Sequence, residues 1–132
     1  YELVHLPYIM SSKRFADSYL KGIACCDVGP KEFITLINNA ECVFTDSFHG
    51  MAFSINFNKQ FYVFSRDDKN GKNSMISRIT DLLGILGLSN RYIVDKDSIL
   101  KEESIDYTKA NLILKENKDR SINWLKNALK EE

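Results

Sequence analysis

From Gly22 onward, apolar residues arrive in short bursts separated by stretches of helical spacing. The burst "GIACCDVGP" stops at a Gly-Pro break and reads as a short buried strand. Pro30 lacks the backbone donor that would go unpaired at the first position of a helix, so it suits a helix start. In "PKEFITLINNA", Phe33, Leu36, Ile37 and Ala40 recur at i, i+3, i+4 and i+7, which puts them on one helical face. "ECVFT" then reads as a strand and residues 50–57 as a helix, with Phe53 and Phe57 expected in the core. "QFYVFS" reads as another strand, with the aromatic content that suits a pleated surface. Parallel neighbours need a crossover connection, so this alternation predicts an α/β fold, a parallel sheet with helices packed on its faces.

The pattern then changes. "SRDDKNGKNS" is polar and glycine-containing, a loop that leads into "MISRITDLLGILGL", where Ile76, Ile79, Leu83 and Leu86 fit helical spacing. "RYIV" reads as one more short strand. From Asp106 to about Lys130 the chain is helix-like, but its middle, "KENKDR", is solidly polar, so only the two ends are expected to pack against a core.

Composition narrows the class. With 132 residues, 44% hydrophobic and 27% charged, the chain is expected to fold as a single domain over residues 1–132. Eighteen basic residues balance eighteen acidic ones, so no overall field draws the protein to nucleic acid, and any anion must be bound locally. Cys25, Cys26 and Cys42 are odd in number and lack metal-type spacing, which points to a reducing cytoplasm and no metal. Cys25 and Cys26 fall on opposite faces of a strand and suit small buried hydrophobes. No segment nears the ~20 apolar residues of a transmembrane span, and "YELVHLPYIM" lacks the pattern of a signal peptide. The start at Tyr1 fits the back part of a longer protein.

The chemistry-bearing stretch is "FTDSFHGMAFSINFNKQF", where a strand feeds a helix. In an open α/β sheet, ligands sit beyond the carboxyl ends of the strands, and Thr45, Asp46, Ser47, Phe48, His49 and Gly50 occupy that place. A helix N-terminus offers unpaired donors and a positive dipole end to a phosphate or carboxylate. Gly50 would let the backbone approach such an anion, while Ser47 and Asp46 are both good helix caps. Capping leaves His49 unexplained. Arg66, after the next strand, could reach the same sheet edge as an oxyanion clamp, whereas Lys59 and Arg78 read as surface charges.

"VGPKEFITLINNAECVFTDSFHGMAFSINFNKQFYVF" and "SRITDLLGILGLSNRYI" together resemble the polysaccharide pyruvyl transferase family, in particular its carboxyl-terminal half. "TDSFHG" with "FSINFNKQF" carries most of that specificity. The resemblance implies a Rossmann-like parallel sheet with helices on both faces, one half of a glycosyltransferase-B-type enzyme whose amino-terminal domain is missing here. It implies transfer of the enolpyruvyl carbons of phosphoenolpyruvate onto two hydroxyls of a saccharide, free or lipid-linked, giving a pyruvate ketal and phosphate. No cofactor is implied beyond phosphoenolpyruvate as donor. The setting would be cytoplasmic, with peripheral attachment at the inner face of the membrane open, and this chain alone would be incomplete and inactive.

By the same resemblance His49 is the general acid or phosphate ligand, and Ser47 with the backbone of Phe48 and Gly50 holds the anion. The arginine that some relatives carry beside the histidine is absent, so neutralising charge must come from Arg66, Lys59 or the missing half. Asp46 is expected to orient His49 or to cap the helix. Two other readings stand beside this one: a nucleotide-sugar-dependent glycosyltransferase half, and a non-catalytic module that binds an anion or a sugar. The paired-glutamate pattern that would hold a nucleotide's ribose is not found.

Overall fold

The computed structural model describes residues 1–6, 22–25, 27–64, 74–94 and 104–130. They form two compact units, Tyr1–Leu36 and Ile37–Glu132. In the first, β1 (Val4–His5) pairs in parallel with β2 (Ile23–Ala24), and the amides of Ile23 and Cys25 donate to the carbonyls of Leu3 and His5 at 2.8 and 3.0 Å. The expected strand after Gly22 is present, but it is two residues long and exposed, Ile23 to 48%. Its described ladder partner is an equally short strand, too little surface to bury either face. Cys25 is half-buried, and Cys26 lies outside the described residues.

Helix α1 (Pro30–Asn39) starts at the proline, as its missing donor predicts. Ile37 is buried and Phe33, Leu36 and Ala40 half-buried, while Lys31, Glu32, Thr35 and Asn38 are exposed, the one-sided pattern that the i, i+3, i+4 spacing requires.

The second unit holds a parallel sheet in the order β3 (Cys42–Thr45), β4 (Gln60–Phe64), β5 (Tyr92–Ile93). Its register pairs Cys42 with Gln60, Thr45 with Val63, and Val63 with Tyr92. Helix α2 (Phe48–Asn56) crosses from β3 to β4, and α3 (Ser74–Leu86), followed by a 3-10 turn at Ser89–Arg91, leads to β5. Helix α4 (Tyr107–Ala128) ends the fold. The α/β class follows, with every strand's carboxyl end on one edge of the sheet.

Side-chain alternation sorts that sheet into two faces. Val43, Phe61, Val63 and Tyr92 face Met51 and Ile55 of α2, Ile79, Leu83 and Leu86 of α3, and Tyr107 and Ala110 of α4. Phe61, Val63, Met51 and Leu83 are fully buried, each contributing about 1.5–3 kcal/mol by leaving water. On the other face Phe44 stacks on Tyr62 and Phe64, with ring centroids 5.4 and 6.2 Å apart, and the buried Arg91 guanidinium lies 5.4 Å from the Tyr62 ring centre. Phe53 and Phe57, expected in the core, are half-buried and stack on each other at 6.2 Å. The inward stripe of α2 is instead Gly50, Met51, Ser54 and Ile55, whose two smallest members let the helix lie close to the sheet. Among the described residues no helix is long and apolar enough to cross a membrane.

Candidate functional site

The turn from β3 into α2 lies at the carboxyl edge of the sheet and is tied together from within. Thr45, the last residue of β3, turns its hydroxyl to accept from the Ser47 amide at 3.0 Å. Ser47, extended at φ −97° and ψ 132°, is the N-cap, its hydroxyl accepting from the Gly50 amide at 3.4 Å and its carbonyl from the Met51 amide at 3.0 Å. Of the two cap candidates it is therefore Ser47, not Asp46, that takes the role; Asp46 is exposed beside it.

Gly50 is buried, and its bare Cα faces Thr45: a methyl group there would lie 2.5 Å from Thr45 Oγ1 and 3.1 Å from Thr45 Cβ. The close approach that demands glycine is thus between α2 and the end of β3, and the Gly50 amide is turned to Ser47. The amides of Phe48 and His49, the first two of the helix, are donors that intrahelical bonding does not use. The Gly50 carbonyl accepts from the fully buried Ser54 hydroxyl at 2.7 Å, which anchors the first turn to the core.

His49 is exposed, its imidazole edge-on to the Phe48 ring at 6.0 Å between centroids. The same Phe48 ring carries the Arg78 guanidinium of α3, 5.5 Å from its centre. One aromatic ring thus carries an imidazole and a guanidinium, a cation–π arrangement beside the positive end of α2. Arg78, read from the sequence as a surface charge, is exposed as expected yet stands next to the turn. The available signal was its position one residue before the buried Ile79, which puts it on the shoulder of α3 that faces α2.

Lys59 goes the other way. It directly precedes Gln60, which pairs with Cys42 at the start of β3, so it lies about 13 Å along the strand from the Thr45 end and on the amino edge of the sheet. Its amide closes α2 by donating to the Ser54 carbonyl at 2.8 Å, and its carbonyl accepts from the Tyr107 hydroxyl at 2.5 Å. It therefore cannot neutralise an anion at the turn. Arg66 lies outside the described residues.

Two other features stand apart from the turn. Burial pushes the Cys42 thiol above its ordinary pKa, against smaller opposing effects of the Val43 amide and Arg91, so it is no ready nucleophile. A groove of about 510 Å³ runs between Asn56 and the α4 residues Leu114, Asn117 and Ser121, roughly 10 Å along α2 from His49. Among the described residues no three His, Cys, Asp or Glu side chains gather as a metal site.

A family model described as polysaccharide pyruvyl transferase matches residues 2–68, a span that begins before β1 and contains the whole turn and α2. No curated protein and no solved structure matches the chain.

Proposed function

The chain belongs to the polysaccharide pyruvyl transferase family, and from that membership we propose that the turn at residues 45–50 binds phosphoenolpyruvate and that His49 is its general acid. The observation that carries this reading is the exposed imidazole in the first turn of a Ser47-capped helix at the strands' carboxyl edge, within the family-matched span. An acid there can protonate the methylene carbon of phosphoenolpyruvate, which raises a cationic centre at the adjacent carbon. One saccharide hydroxyl adds to that carbon and releases a proton that restores the imidazolium. A second hydroxyl then displaces the phosphate and passes its proton to the departing phosphate oxygen, closing the pyruvate ketal and releasing inorganic phosphate.

The amides of Phe48 and His49, the positive end of α2 and Arg78 over the Phe48 ring supply the charge that holds the donor. Arg78 takes the place of the arginine missing beside His49, with Arg66 a further contributor. The acceptor is a saccharide, and its side of the cleft is assigned, on the family resemblance, to an additional amino-terminal domain. The unpaired cysteines Cys25 and Cys42 support a cytoplasmic setting.

In the full-length enzyme, replacing His49 with alanine should lower phosphate release from phosphoenolpyruvate by about 10²–10⁴-fold. Because the side chain is exposed, the melting temperature should hold. Calorimetric titration with phosphoenolpyruvate should show saturable binding that Arg78→Ala weakens. Turnover unaffected by loss of His49 would remove the acid assignment, and binding of a nucleotide sugar in place of phosphoenolpyruvate would replace the donor.

A further inference from the structure

Phe48 opens α2 at the boundary between core and solvent. It stands three residues before Met51 and seven before Ile55, a spacing that puts it on the shoulder of the buried stripe, and its half-buried ring packs against the core cluster. His49, the next residue, is turned about 100° further round the helix and is exposed. The same anchored ring carries the Arg78 guanidinium 5.5 Å from its centre and meets the His49 imidazole at 83° between ring planes.

Arg78 needs such a support. It stands at an exposed position of α3, and a long exposed side chain loses rotamer freedom when it grips an anion, which weakens the grip. A ring beneath the guanidinium restricts it beforehand. Unlike a carboxylate, the ring also leaves the positive charge unneutralised for an incoming anion. An aliphatic side chain at position 48 would pack against the same core but would offer no electron-rich face to the cation.

We propose that the Phe48 side chain is a positioning residue: anchored in the core, it holds Arg78 beside the start of α2 and so strengthens the hold on the donor's phosphate. This role rests on the reading of the residue 45–50 turn as the phosphoenolpyruvate site. It belongs to the ring alone, because the Phe48 amide survives replacement by leucine or tyrosine.

In the full-length enzyme, Phe48→Leu should weaken phosphoenolpyruvate binding in calorimetric titration, and raise KM, by about 2–5-fold, with kcat changed less. Phe48→Tyr keeps the ring face and should bind as the wild type does. Arg78→Ala should cost less affinity in the Phe48→Leu background than in the wild type, because the two side chains act as one unit. Without any ligand, ring current should move the proton resonances of the Arg78 δ-methylene upfield, a shift lost in Phe48→Leu and kept in Phe48→Tyr.

Wild-type affinity in Phe48→Leu overturns the positioning role while the phosphoenolpyruvate reading stands. So does a loss that Phe48→Tyr fails to restore, or a loss fully additive with that of Arg78→Ala. A wild-type enzyme that does not bind phosphoenolpyruvate removes the reading of the site itself, and this role with it.

Discussion

At the residue scale, the turn depends on one missing methyl group. Gly50 faces Thr45 so closely that an added Cβ must displace the Thr45 hydroxyl, which also accepts from the Ser47 amide. Gly50→Ala should therefore cost about 1–3 kcal/mol, read as a fall in denaturation midpoint with unchanged slope, because overlap in a packed site is relieved only by breaking a neighbouring bond. His49 was legible in the sequence because it is the sole titratable ring in a turn of cap residues. The reason for Gly50 was not, because the partner that needs its bareness is the end of β3, and distances between elements leave no periodic trace. Arg78 and Lys59 traded places for the same cause: both read as lone cations, and only the packing of α3 on α2 and the β3–β4 register separate them.

At the element scale, α2 and α3 stop by one device. After α2, Asn58 adopts φ 54°, its amide donates to Ile55 at 3.1 Å, and the Lys59 amide donates to Ser54. After α3, Gly87 at φ 70° donates to Gly84 at 3.2 Å and Leu88 to Leu83 at 2.8 Å. Both are helix ends closed by a left-handed residue. Asn58→Gly should hold or raise the melting temperature, whereas Asn58→Val should cost about 1–2 kcal/mol, because a branched side chain meets the backbone in that conformation. The order of strands and helices from β2 to α4 was legible in the alternation of apolar bursts and helical spacings. The exposure of β2 was not, since a short apolar run has the same composition whether or not anything covers it. Phe53 and Phe57 misled likewise: size suggests burial, but the stripe beginning at Gly50 decides which side of α2 turns inward.

At the scale of the molecule, the second unit is fastened at the amino edge of its sheet. Ile105 donates its amide to Gln60 Oε1 at 2.9 Å, Tyr107 donates its hydroxyl to the Lys59 carbonyl, and Asp106 caps α4 by accepting from the Thr108 amide at 2.9 Å. Burial raises the Tyr107 phenol well above its ordinary pKa, more than the nearby Arg91 charge lowers it. Folding thus favours the protonated phenol. Its contribution is intact below the unfolded pKa of about 10 and fades as pH rises through the alkaline range. Tyr107→Phe should lower stability at neutral pH by about 1 kcal/mol for the lost hydrogen bond and flatten the alkaline decline, both visible in denaturation curves from pH 7 to 11. Anchorage therefore occupies one rim of the sheet and the residue 45–50 turn the other. For anyone building variant libraries, the exposed position His49 is the ground on which diversity can be sown with the scaffold intact, while residues 58–60 and 105–107 are better left unrandomised.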